Sequence, residues 1–333
     1  MRKSTKISLA FCAFAFLFMV FYLVFFDGKQ VYNALKSVKV PYIFIAVLFI
    51  AAYLFLETLA VHAVTKTVHP PHKLRRTMVI TLIGHYFNCI TPFATGGQPM
   101  QIYYMTRYGV SLGGSVVALL SRFIVYQFVL TIYTAAVLFA NFSYYTKELG
   151  GLMFLTIIGF SINFCVLFAL ITLAFFKKTA EKISHGAIKI AAKLRLVKEA
   201  KKKIAYIDEE LEHYHKNFEL VRKNPLLVFK LMILSALQLT VFFSVSFVIY
   251  RGLGLSGVSP FIIISNQAFV LMISSFVPLP GAIGAAEGSY GLFFAPIFGE
   301  SITFSVFLWR VLTFYLPITA GLITTVLVSA RKE

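Results

Sequence analysis

Two Pro/Gly-rich breaks interrupt apolar sequence, and each is followed by an arginine set among apolar residues. The first break is Thr91 to Pro99 (TPFATGGQP), ahead of Arg122; the second is Pro278 to Gly284 (PLPGAIG), ahead of Arg310. A helix that restarts after such a break presents unpaired N–H groups and the positive end of its dipole, which together attract an anion. Gly96, Gly97, Gly281 and Gly284 have no side chain to keep a ligand away from that backbone. Arg122 and Arg310 can add charge-assisted hydrogen bonds to a phosphate, or either can pair with Glu287. The chemistry on offer is recognition of a phosphodiester, and a structural Arg310–Glu287 pair is the competing reading.

The remaining polar residues support less. Glu57 lies in the middle of an apolar run with His62 five positions on, which suits an interhelical hydrogen bond or a relay or gating role. His85 and Asn88 are one helical turn apart, as for a packing contact or a relay. Gln98 and Gln101 follow the glycine pair and could line a cavity or hold helices together. Cys12, Cys89 and Cys165 sit in apolar runs at spacings that make neither a disulfide framework nor a metal site, so no metal and no cofactor is expected. Asp27 and Asp208 are the only aspartates, so there is no DxD motif, and no GxxxxGK[ST] stretch binds ATP. An enzyme is not expected.

The elements that position these residues are set by composition. Hydrophobic residues make up 59% of the 333-residue chain and charged residues 13%, and the mean hydropathy is +0.82. A soluble core does not absorb that much apolar surface. Apolar runs near residues 7 to 26, 41 to 63, 115 to 140, 152 to 176, 226 to 250 and 302 to 328 each approach the roughly 20 residues of a spanning helix. The first run has no small-residue cleavage site and reads as an anchor. The stretches 78 to 112 and 259 to 298 are cut by the two breaks, which suits hairpins that enter and leave on one side.

Orientation follows from the 31 lysines and arginines, because cytoplasmic loops hold an excess of them. With both termini in the cytoplasm and both broken stretches re-entrant, 23 lie inside and 5 outside, and Arg122, Lys230 and Arg310 fall within spans. Residues 41 to 140 then run span, hairpin, span, and residues 226 to 328 run the same series in the opposite sense. Leu120 to Tyr126 (LSRFIVY) also echoes Leu308 to Phe314 (LWRVLTF). The expected fold class is therefore an all-α integral membrane protein with six spanning helices plus two re-entrant helical hairpins, arranged as inverted-topology repeats. It forms one polytopic domain over residues 1 to 333. Paired breaks of this kind point to a midplane site, since non-helical backbone survives at membrane depth only where protein or water satisfies it. Between the repeats, residues 177 to 224 carry one apolar stripe at helical spacing and read as an amphipathic helix on the cytoplasmic face, rich in basic residues. The net charge of +18 is largely topogenic, so nucleic-acid binding is not expected.

Thr91 to Tyr104 (TPFATGGQPMQIYY) and Pro278 to Gly288 (PLPGAIGAAEG) resemble the signatures of the lysylphosphatidylglycerol synthase transmembrane family, the flippase part of MprF-type proteins, over essentially the whole chain. The resemblance implies a lipid translocase of the cell membrane that moves a phospholipid, in many relatives aminoacylated phosphatidylglycerol, and contributes to antimicrobial peptide resistance. It also implies a separate lipid-modifying synthase as a partner, since no synthase-like domain is expected in this sequence, and a homo-oligomer as one form of assembly. Many relatives carry Glu at the place of Gln98, Arg at that of Gln101 and Gly at that of Ala282. Without the acidic group a cationic headgroup is less well provided for, and a glycolipid or polyprenyl-phosphate lipid becomes a competing substrate. An accessory role beside a partner enzyme, or an integral membrane transferase, are the other readings.

Overall fold

A computed structural model of the chain describes residues 38 to 140, 150 to 193, 200 to 275 and 277 to 330, together with a few isolated positions before 38. The expected first span at 7 to 26 lies outside the described residues. Among the described residues every regular element is helical: α1 Val40–Val68, α2 Leu74–Cys89, α3 Gly97–Arg107, α4 Leu112–Ala140, α5 Gly150–Phe175, α6 Lys177–Lys193, α7 Ala200–Arg222, α8 Pro225–Gly252, α9 Pro260–Ser274, α10 Ala285–Phe298, α11 Ile302–Arg310 and α12 Leu316–Ala330. Helices α1, α4 and α8 and the apolar stretch Pro280–Ala330 are each long and apolar enough to cross a membrane. This is a multi-pass membrane protein. The helix starts are written locally: Asn224 accepts the Leu227 N–H ahead of Pro225, and Ser259 accepts the Phe261 N–H ahead of Pro260. Each pairs a side-chain cap with a proline at the first position, where no donor is lost.

Helices α1 and α8 form the centre. They run antiparallel, as the 2.8 Å bond from Lys39 N–H to Gly252 C=O ties the start of one to the end of the other. These are the opening helices of the two sequence units, and opposed directions are what inverted units require. Around them the chain builds two helix–turn–helix hairpins, α2 and α3 joined across the turn Pro92–Ala94, and α9 and α10 across the turn Pro280–Ala282. At about 1.5 Å per residue, 16 residues in α2 and 15 in α9 fall short of a bilayer's hydrocarbon core. The two turns pack against each other.

The turns share an uncommon backbone. Phe93 and Ala94 both have φ of 53°, and Gly281 and Ala282 have φ of 61° and 51°. Two consecutive left-handed residues therefore form each apex, three of the four carrying a Cβ, at a cost of order 1–3 kcal/mol for each of those three. Pro92 and Pro280, Gly96 and Gly284, and Arg122 and Arg310 are all separated by the same 188 positions. The internal similarity is thus one register held through backbone, break and arginine.

Two elements differ from expectation. The run 302 to 328 is not one uniform helix: a π-helical turn, Val311–Tyr315, follows Arg310 directly and separates α11 from α12. A π turn re-aims the side chains on either side of it. Residues 177 to 224 form two helices, α6 and α7, packed on each other; residues 194 to 199 lie outside the described residues. The apolar stripe of α7 is partly buried within the protein, with Tyr214, Phe218 and Val221 in the same core cluster as Val61, Ile80 and Leu231.

Candidate functional site

A cavity of about 290 Å³ opens where the two hairpin turns meet. Phe93 and Ala94 line it from the first turn, Gly281 and Ala282 from the second, His85 and Asn88 from α2, Gln267 and Ser274 from α9, and Trp309 and Arg310 from α11. Among the described residues the lining contains no carboxylate. Two lining residues carry a donor with nothing to bond behind the cavity surface: Trp309 Nε1 and Gln267 Nε2 are buried without a partner. The Ser246 hydroxyl donates to Gln267 Oε1 at 2.6 Å, which fixes the amide and leaves its NH₂ spare. An unmet buried donor costs about 1–3 kcal/mol, so each of these groups gains if a shift of the wall brings an acceptor to it.

Arg310 is 4% exposed and is held on two sides. Its Nε donates to Glu287 Oε1 at 2.6 Å and its Nη2 to the Gly281 carbonyl at 2.9 Å. The guanidinium also lies over the Phe314 ring, 4.6 Å from its centroid. Glu287 is itself shared, since its Oε2 accepts the Gly284 N–H at 2.7 Å. One carboxylate thereby caps the N-terminus of α10 and anchors Arg310, and the arginine pins the apex carbonyl. The structural pair of the sequence analysis is present, and Arg310 lies on the cavity wall as well.

Arg122 has a different partner from the one expected. Its Nη2 lies 3.4 Å from Glu57 Oε1 and donates to Gln238 Oε1 at 3.0 Å, so it pairs with Glu57 of α1 and has no contact with Glu287. Glu57 Oε2 also takes His85 Nε2 at 2.7 Å and Gln238 Nε2 at 3.2 Å. This network joins α1, α2, α4 and α8. Only His85 reaches the cavity, so Glu57 and Arg122 stand one layer behind it. The pairing was available from composition: Glu57 is the sole acidic residue of 41 to 140, and Arg122 the sole arginine in the spans of that unit. Gln267 and Trp309 gave no such signal, because an amide and an indole among apolar residues look like packing until a cavity opens beside them.

The glycines do something other than expected. The Gly97 N–H donates to Asn88 Oδ1 at 2.9 Å, and the Gly96 N–H to Thr91 Oγ1 at 2.8 Å. The first free donors of α3 are thus already met by the chain. A Cβ at Gly97 would stand 2.1 Å from Asn88 Oδ1, and one at Gly281 2.2 Å from Phe314. Both therefore admit a neighbouring side chain, and Gly281 also faces the cavity. Gly284 supplies φ of 88° to start α10 and has no atom crowding it. Gln101 is buried with its amide packed over Gly84, and Gln98 is exposed. Of the sequence-predicted residues, the structure brings His85, Gly281 and Arg310 to the cavity. It sets Glu57, Arg122, Gly284 and Glu287 around it, and leaves Gly96, Gly97, Gln98 and Gln101 away from its wall.

The sequence model of the family described as lysylphosphatidylglycerol synthase TM region matches residues 7–321. A protein of Archaeoglobus fulgidus described as a UPF0104 membrane protein is 23% identical over 264 residues, covering 74% of each chain.

Proposed function

Because the chain belongs to the lysylphosphatidylglycerol synthase TM region family, we propose that it carries the phosphate-bearing headgroup of a membrane lipid between leaflets, through the cavity where the two hairpin turns meet. The observation that carries this reading is a guanidinium in a lining that, among the described residues, has no carboxylate, with unpaired buried donors on the Gln267 and Trp309 side chains of its wall. Such a set suits an anionic acceptor and offers no counter-charge to an ammonium. An unmodified anionic phospholipid or a polyprenyl-phosphate lipid fits better than an aminoacylated one. A volume near 290 Å³ suits a headgroup with the acyl chains left outside.

In this reading both hairpins are re-entrant, one from each side of the cytoplasmic membrane, with their apices near mid-depth and both termini in the cytoplasm. Six spans, the run at 7 to 26 included, complete the bundle. The protein acts as a carrier and not as a transferase: the one imidazole in the lining, His85, is engaged by Glu57. A separate lipid-synthesising enzyme supplies the lipid.

The test is leaflet exchange of fluorescent lipids in vesicles holding the purified protein, read by quenching from outside. Wild type is expected to exchange phosphatidylglycerol faster than lysylphosphatidylglycerol. Arg310→Gln should lower exchange by about tenfold or more, with partial rescue by Arg310→Lys. Equal exchange of both lipids by wild type and Arg310→Gln would refute the assignment.

A further inference from the structure

A second concavity, about 390 Å³, lies between the end of α1 and the start of α8 and shares no lining residue with the first. Its polar members are His62, Lys66 and Thr67 from α1, Asn224 before α8, and Lys230 within it; Leu59 and Leu226 are among its apolar members. Lys66 and Lys230 are exposed and come from facing helices onto one groove. Among the described residues neither makes an ion pair. The only acidic residue of α1, Glu57, lies more than two turns deeper and is committed to Arg122 and His85. His62 Nδ1 is satisfied by Thr77 Oγ1 at 3.0 Å. Two ammonium groups facing one space without a counter-charge repel each other, and an anion placed between them removes that repulsion.

The rim favours a lipid over an ion from water. Leu226 is 76% exposed and Phe229, one turn on, is 59% exposed; they stand beside Lys230 at the start of a membrane-crossing helix. Apolar side chains next to cations at a helix end match an amphiphile lying at the headgroup level. We propose that this groove is a second lipid site, holding the phosphate of an anionic phospholipid of the adjoining leaflet between Lys66 and Lys230, with acyl chain along Leu59 and Leu226. The site is independent of the cavity between the hairpins and requires no transport through it.

The experiment measures phosphatidylglycerol bound to the detergent-purified full chain by native mass spectrometry, with phosphatidylcholine as the neutral comparison. Lys66→Gln/Lys230→Gln should weaken phosphatidylglycerol binding by about tenfold, while Lys66→Arg/Lys230→Arg retains it. Lys36→Gln/Lys39→Gln removes the same charge at the other end of α1 and should leave binding unchanged. Leu226→Glu, an exposed change that spares both lysines, should weaken it as the double glutamine variant does. In an Arg310→Gln background, which removes the cavity's own contribution, the loss caused by Lys66→Gln/Lys230→Gln should persist. Unchanged binding in the Lys66/Lys230 glutamine variant would overturn the proposal. Equal loss in the Lys36/Lys39 variant would show diffuse charge attraction instead, displacement by inorganic phosphate would show an ion site, and loss confined to Arg310→Gln would assign the bound lipid to the hairpin cavity.

Discussion

Arg122 and Arg310 occupy the same register in two sequence-related units, yet they hold different things together. Arg122 reaches across to the opening helices of both units, taking Glu57 from α1 and Gln238 from α8, with His85 of α2 on the same carboxylate. Arg310 binds within its own unit, to Glu287 at the start of α10 and to the apex carbonyl of Gly281. The first is a buried rivet between halves, and the second is a local clip on a hairpin with a face on the cavity. Pseudo-symmetric backbones therefore need not give symmetric surroundings: the position of the carboxylate partner decides which arginine meets the cavity.

If so, the largest stability effect belongs to the rivet. Glu57→Gln leaves Arg122 buried and unpaired, and Arg122→Gln leaves the buried Glu57 without its guanidinium partner. Each should cost about 3–5 kcal/mol and lower the detergent melting temperature strongly. Combining the two should recover a large part of the loss, because the double variant contains no uncompensated charge. A double variant as unstable as the sum of the singles would remove the rivet.

The clip should respond less in stability and more in transport. The Glu287 side chain is 25% exposed against 11% for Glu57, so water can compensate part of what Glu287→Gln removes, and a loss of about 1–3 kcal/mol is expected. The decisive measurement is leaflet exchange in Arg310→Gln/Glu287→Gln. Exchange that stays lost while melting temperature recovers places Arg310 on the lipid; recovery of both would make it a fold element only. Smaller again is Trp309→Phe, which removes one unpaired buried donor of the cavity wall and keeps the aromatic stack on Tyr290, whose ring centroid is 4.6 Å away. Its melting temperature should stay within a few degrees, and exchange should fall several-fold, as for loss of one hydrogen bond of about 1 kcal/mol.

The sequence carried the frame of this comparison because its determinants are local. Spans are runs of apolar residues, breaks are Pro and Gly, and inverted direction follows from where lysines and arginines gather. Partners across the bundle were harder. Nothing adjacent to Arg122 names Glu57, 65 positions earlier, and only the scarcity of acids in that unit hints at it. The glycines were legible as special but not in their use: the space beside Gly97 is taken by Asn88 and that beside Gly281 by Phe314, contacts fixed by how helices cross. The unpaired donors of Gln267 and Trp309 were invisible, because lacking a partner is a property of the packed whole.

The smallest expected effect tests whether the two units differ at their outer ends as they do at their centres. His72 lies in the loop between α1 and α2, where the residue 188 positions on is Pro260, so the second unit holds no titrating group there. Both ring nitrogens of His72 are buried without a partner. Burial, then the neighbouring His62, His69 and Arg76, pushes its pKa down to about 4. A folded-state pKa below the ordinary value means that the neutral ring is favoured by folding. The stabilisation is present above about pH 6.5 and is lost as pH falls toward 4, because the unfolded chain takes up its proton first. Melting temperature in detergent should therefore decline over that window, and His72→Phe, which keeps a ring in the site but cannot take up a proton, should decline less steeply. If the wild-type and His72→Phe curves are parallel from pH 7 to 4, this histidine contributes nothing to acid sensitivity, and the asymmetry between units is confined to the two arginines.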